Sequence, residues 1–127
     1  MTKKVLIFLM WLLCFFTVGC SNSKSETSKP NNVSQGMYDL GVKAVKITDK
    51  YLDADLTLDE AYEELESIDN QSEQLIDEAF EGDEDVSFWI GIVKNDFWTM
   101  TLSVGAHGTD ADIKESESNL KKILEME

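Results

Sequence analysis

The chain has 127 residues, with 25 acidic side chains against 11 basic ones, and its formal net charge at pH 7 is −14. That length allows one small domain. The charge argues against nucleic acid as a partner, because the protein and the phosphate backbone would repel each other. A single histidine and two cysteines leave few side chains for catalysis or for transition-metal binding. Composition therefore predicts a non-enzymatic protein without a cofactor.

The N-terminus has the features of a secretory signal. Lys3 and Lys4 are followed by an uncharged, apolar stretch from Val5 to Val18. As a helix this stretch would span roughly 21 Å at about 1.5 Å per residue, which is short of the roughly 30 Å hydrocarbon core of a bilayer. The pattern therefore predicts a signal peptide rather than a membrane-spanning helix.

The residues that follow, Phe16-Thr17-Val18-Gly19-Cys20-Ser21, resemble the lipobox of bacterial lipoproteins. Gly19 and Cys20 match the small residue and the cysteine of that motif, while Thr17 stands where the family usually has leucine. The resemblance implies cleavage between Gly19 and Cys20 and an acyl chain on Cys20 that inserts into the lipid bilayer. It also implies that the mature protein is anchored to the outer face of the cell membrane.

Residues 20–35 are dominated by serine, asparagine and lysine, and Val33 is the one large apolar residue among them. A stretch of this composition cannot bury enough apolar surface to offset its ordering entropy. We therefore expect a lipidated, flexible tether at 20–35, between a signal peptide at 1–19 and an acidic helical domain at 36–127.

The domain has the apolar spacing of amphipathic helices. The first predicted helix runs from Met37 to about Leu52, with apolar residues recurring every three or four positions. Thr57 and Glu60 form the capping-box pattern that starts a second helix. We expect this second helix to continue to Gly82, since glycine is a common residue at a helix C-terminus.

The stretch 86–104 is compatible with two structures. Apolar residues spaced by four and three favour a helix that is capped by Asp85 and stops at Gly105, whereas the valine, tryptophan and threonine content favours a β-hairpin. Its neighbours are helical, including a last helix capped by Thr109 or Asp110. The predicted fold is therefore all-α, a small antiparallel bundle of three or four helices, and the alternative is α+β with a hairpin at 86–104.

Four carboxylates form a candidate calcium site. Asp53, Asp55, Asp59 and Glu64 fall at ligand positions of an EF-hand-like loop. The position where such a loop needs glycine is occupied by Leu58, and the predicted helix start straightens the same segment. A weak calcium-binding surface module is therefore an alternative function, and an acidic, solvated helix face is the favoured interpretation.

Trp89 and Trp98 are the candidate partner-binding residues. Phe88 and Trp89 lie nine positions before Phe97 and Trp98, which is a rotation of about 180° on a helix. One buried face cannot hide both pairs, so either the segment is buried all round or one face stays exposed to an unknown protein partner. We favour a lipoprotein that acts by protein–protein binding.

The chain resembles the small surface lipoproteins of Gram-positive bacteria and their prophages. The shared features are the signal peptide, basic residues that are all lysine, and the helical pair around Tyr51-Leu52-Asp53. Some of these prophage proteins block superinfection from outside the membrane. The resemblance therefore implies superinfection exclusion as an alternative function, which would also require a protein partner.

Overall fold

The computed structural model describes residues 28–102 and 108–127. These residues form four α-helices and no β-strand: α1 (Gln35–Leu52), α2 (Leu58–Leu75), α3 (Gly82–Thr101) and α4 (Asp110–Ile123). The prediction of an all-α helical bundle is confirmed. The predicted signal peptide, Gly19, Cys20 and Gly105 lie outside the described residues.

At the starts of α1, α2 and α4, a side chain accepts a hydrogen bond from a backbone N–H group that has no partner within the helix. Thr57 Oγ1 accepts from the backbone N of Glu60 at 3.3 Å, and the backbone N of Thr57 donates to Glu60 Oε2 at 2.9 Å. This bond from the Thr57 backbone lowers the pKa of the Glu60 carboxyl. Thr109 and Asp112 make the same exchange at the start of α4. The predicted capping box at Thr57 is confirmed, and Thr109 caps the last helix.

The junction between α2 and α3 differs from the prediction. α2 ends at Leu75 and not at Gly82, and Gly82 is the first residue of α3 rather than a helix stop. A side chain at this position would collide with the segment before α1, because a Cβ on Gly82 would lie 2.8 Å from Val33 Cγ2 and 2.9 Å from the carbonyl oxygen of Asn32. Asp85, the expected cap, lies inside the first turn of α3.

α3 is one continuous helix, so the alternative of a β-hairpin at 86–104 is wrong for the part of that stretch that the structure describes. Val86, Ile90, Val93 and Phe97 recur at helical spacing and are fully buried. Burial of this stripe outweighs the strand preference of its β-branched and aromatic residues, since that preference depends strongly on context.

α1 and α3 form the centre of the bundle. Each of them contacts the other three helices, whereas α2 and α4 do not contact each other. The buried apolar core lies between Val33 and Leu124. Its largest fully buried side chains are Phe97, Met37, Leu65, Ile90, Ile113, Leu120 and Leu124.

The last residues of the predicted tether belong to the packed domain. Val33 is fully buried, although it is an isolated apolar residue in a polar stretch. Ser34 caps α1, since its hydroxyl accepts a hydrogen bond from the backbone N of Met37 at 3.4 Å. The boundary predicted between residues 35 and 36 therefore lies too late in the chain. The composition of residues 20–35 does not indicate that Val33 packs into the core of the bundle.

Candidate functional site

α3 carries a second apolar face, which points to solvent. We call Phe88 and Trp98, together with Leu102 directly after the last residue of α3, the α3 ridge; these residues are 60%, 45% and 57% exposed. With about 100° between successive residues of a helix, the three positions fall within an arc of about 80°. Because the buried stripe of α3 faces the core, this helix is apolar on two sides.

Trp98 is held in place by a neighbour on α2. Its ring lies 5.4 Å from the ring of Tyr62, centroid to centroid, at an interplanar angle of 35°. The hydroxyl of Tyr62 donates to Glu66 Oε1 at 3.2 Å, and desolvation together with this bond raises the pKa of the Tyr62 phenol. The aromatic contact orients Trp98, while nearly half of the tryptophan remains exposed to solvent.

Trp89 and Trp98, the two residues predicted to bind a partner, are not brought together. They lie on opposite sides of α3, about 180° apart, and Trp89 is partly buried against the core. The ring of Trp89 meets that of Phe88 edge-on, with 5.6 Å between centroids. Phe88, not Trp89, accompanies Trp98 on the exposed side. The helical spacing from Phe88 through Ile92 to Leu102 was the signal that could have identified it.

Beside the ridge runs a groove between α2 and α3, the α2–α3 groove, with a volume of about 430 Å³. Within it Lys94 Nζ lies 2.7 Å from Asp69 Oδ2, and this hydrogen bond raises the pKa of the Lys94 ammonium group. Glu73 and Glu84 also line the groove, and neither carboxylate has a hydrogen-bond or ion-pair partner in the part of the chain that the structure describes. The groove therefore carries net negative charge.

Basic side chains gather on a different face. Lys43, Lys46 and Lys50 line a groove between α1 and α2, and none of them forms an ion pair with another described residue. The apolar residues beside them, Leu40 and Ile47, are only 4% and 6% exposed. This face presents positive charge with little accessible apolar surface.

The four carboxylates of the candidate calcium site do not converge. Asp53 and Asp55 lie in the turn after α1, whereas Asp59 and Glu64 lie on α2, which begins at Leu58. Across the two described ranges, no group of three or more histidine, cysteine, aspartate or glutamate side chains is arranged to hold a metal ion.

None of the helices in the described part of the chain is long and apolar enough to cross a membrane. No protein-family model matches the chain, and neither does any curated protein or solved structure. Function is therefore inferred from the surface of the bundle and from the sequence features at the N-terminus.

Proposed function

We propose that this protein is a lipoprotein anchored to the outer face of the cell membrane through Cys20, and that it acts without catalysis by binding another protein. The observation that supports binding is the α3 ridge. Fully burying one large apolar side chain contributes about 1.5–3 kcal/mol. Phe88, Trp98 and Leu102 can therefore contribute several kcal/mol to association, since folding leaves each of them about half exposed.

The proposed anchor is supported by the lipobox resemblance at Gly19 and Cys20. From Cys20 onward the chain has 9 lysines and 25 acidic residues, a net charge of −16. Anionic lipid repels such a charge, so attachment to the membrane would depend on the acyl group. Anchoring would also raise the local concentration of the bundle for any partner at the same surface.

The charge distribution supports a basic partner. Between Lys50 and Lys94 the chain has no basic residue, so α2 and the first half of α3 present carboxylates to solvent. Opposite charges accelerate association and disfavour partners of like charge. The partner we propose is a protein with a basic surface around an apolar patch, and the same charge disfavours nucleic acid.

Photo-crosslinking in living cells tests this proposal. A photoreactive amino acid is placed at position 98 of the full chain, and a second variant carries it at position 63, where Glu63 is exposed on α2. We expect a discrete crosslinked species from position 98 that Phe88→Ala weakens, and no such species from position 63. Equal crosslinking from both positions, or crosslinking that survives Phe88→Ala combined with Leu102→Ala, would contradict binding through the ridge.

A further inference from the structure

The α2–α3 groove has an apolar wall that is open to solvent. Phe88 and Ile92 are one helical turn apart on α3, about 6 Å along its axis, and Ile76 lines the groove with them. Phe88 is 60% exposed and Ile76 is 39% exposed. Gly91 lies between the two helices, where a Cβ would be 3.3 Å from Asp69 Oδ1. The missing side chain lets α2 and α3 approach closely and keeps this part of the groove free.

Two carboxylates that have no partner among the described residues lie beside the apolar wall. Glu73 is on α2 and Glu84 is on α3, and both residues are exposed. The ammonium group in the groove, on Lys94, is already paired with Asp69 at 2.7 Å. The groove thus combines accessible apolar surface with uncompensated negative charge, which is complementary to a segment that is both apolar and cationic.

We infer that the α2–α3 groove binds an amphipathic α-helix of the partner protein, with aliphatic residues toward the apolar wall and lysine or arginine toward Glu73 and Glu84. This inference rests on the proposed function, because it specifies the chemistry of the partner at the same surface. From Glu84 to Asn95 the groove follows α3 for about 16 Å, which is the length of about three helical turns. An apolar stripe of three turns on the partner helix therefore matches the groove in length.

A helical occupant fits the groove better than an extended one. Both walls are α-helices, whose backbone N–H and C=O groups are paired within each helix away from its ends. An extended peptide would find no sheet edge with which to form backbone hydrogen bonds. A helix satisfies its own backbone groups and needs only side-chain contacts, as in other helix-in-groove complexes.

A second copy of this chain fits the groove less well. Its basic row, Lys43, Lys46 and Lys50, would supply positive charge, but the neighbouring Leu40 and Ile47 are 4% and 6% exposed. A second copy would therefore bring lysines without apolar side chains to bury. The acidic remainder of its surface would also repel the first copy. The occupant is a different protein.

Two synthetic peptides of equal length test the inference. Both carry leucine at every third or fourth position, and the remaining positions are lysine in one peptide and glutamate in the other. Each is titrated calorimetrically, at physiological ionic strength, into a chain that begins at Ser21, which retains the whole core because the core lies between Val33 and Leu124. Circular dichroism of each protein verifies the helical fold. We expect the lysine peptide to bind and the glutamate peptide not to bind.

Variants then separate the groove from overall charge. Phe88→Ala should weaken binding of the lysine peptide at least about tenfold, and Glu73→Gln combined with Glu84→Gln should weaken it about three- to tenfold. The matched control is Glu63→Gln combined with Glu125→Gln, which removes two exposed charges outside the groove. Because salt screens distant charges, the control should change affinity less than about twofold.

Several results would overturn the inference. If neither peptide binds, if both bind equally, or if Phe88→Ala leaves affinity unchanged, the groove does not take a basic amphipathic helix. Equal weakening by the control pair would show that binding follows net charge alone. If the chain self-associates in analytical ultracentrifugation and Phe88→Ala abolishes this self-association, the groove binds a second copy of the chain.

The two proposals fail in different ways. If position 98 crosslinks to a partner but neither peptide binds, binding through the ridge is supported and the helix-in-groove interaction is contradicted. Peptide binding without any crosslink in cells would show a groove with the inferred chemistry and contradict the proposed function.

Discussion

Ser34 and Asp83, 49 residues apart in the sequence, are joined by two hydrogen bonds of 2.7 Å. The backbone N of Ser34 donates to Asp83 Oδ1, and the Ser34 hydroxyl donates to Oδ2. Oδ2 also accepts from the backbone N of Asp77 at 3.3 Å. Asp83 is fully buried in the first turn of α3, where the positive end of the helix dipole favours a carboxylate. One side chain thus connects the starts of α1 and α3 with the loop between α2 and α3.

Replacing Asp83 with alanine should destabilise this end of the bundle. The substitution leaves two backbone N–H groups and one hydroxyl without their acceptor, so the free energy of unfolding should fall by about 2–4 kcal/mol. Urea denaturation measures this loss. The matched control is Asp85→Ala, an exposed acid in the same helical turn, which should cost less than about 1 kcal/mol. Equal losses in the two variants would contradict the structural role of Asp83.

Phe97 and Trp98 are neighbours in the sequence with opposite roles. Phe97 is fully buried, so Phe97→Ala should lower the free energy of unfolding by about 3–5 kcal/mol. Trp98→Ala removes a half-exposed ring and its contact with Tyr62, and should cost about 1 kcal/mol. Thermal denaturation compares the stabilities of the two variants. A loss of several kcal/mol in Trp98→Ala would show that this residue belongs to the core and not to a binding surface.

The ion pair between Lys94 and Asp69 should behave as a coupled unit. The Asp69 side chain is 10% exposed, so Lys94→Met leaves a largely buried carboxylate without its cation and should destabilise the protein by about 1–3 kcal/mol. In a double-mutant cycle, Lys94→Met with Asp69→Leu should cost less than the sum of the two single changes. Strict additivity of the measured unfolding free energies would contradict the coupling.

Because Glu117 is buried, we expect the stability of the protein to depend on pH. Glu117 Oε1 lies 2.8 Å from Lys121 Nζ, which also lies 3.3 Å from Asp49 Oδ1. Burial raises the pKa of the Glu117 carboxyl, and the bond to Lys121 only partly offsets this effect. The folded state therefore holds the Glu117 proton more tightly than the unfolded chain. The contribution of this group to the free energy of unfolding falls as the pH rises from 4.5 through the folded pKa.

Glu117→Gln removes the titrating group while keeping a similar shape. Relative to the unchanged protein, this variant should gain stability as the pH rises from about 4 to about 7. Urea denaturation at the two pH values measures the difference, and Glu115→Gln on the exposed side of α4 serves as the control. This linkage would be contradicted if the unfolding free energies of the Glu117→Gln variant and the unchanged protein differed by the same amount at both pH values.

Helix starts could be predicted where the deciding contact is local. Thr57 and Glu60 are three positions apart, so their capping box is visible in the sequence and is present in the structure. The start of α3 could not be predicted in this way, because it depends on contacts of Gly82 and Asp83 with residues 32–34. By local rules, a glycine after an amphipathic stripe indicates the end of a helix. Only long-range packing explains why Gly82 begins α3 instead.

The candidate site was predictable in part, for a similar reason. The spacing of the aromatic residues predicts two faces on α3, but it does not say which face the neighbouring helices cover. Phe97 packs edge-on against Tyr51 of α1, with 4.9 Å between centroids, and this buries one face. Phe88 is left on the other face, beside α2. The identity of the exposed aromatic residue therefore depends on how α1 and α2 pack around α3.

Metabolic labelling with a tagged fatty acid tests whether the bundle is anchored outside the cell through Cys20, as we propose. We expect the chain to carry the label in the membrane fraction, to be degraded by protease added outside intact protoplasts, and to lose the label in the Cys20→Ser variant. An unlabelled chain that is found in the cytosol and is protected from added protease would contradict the proposed anchor.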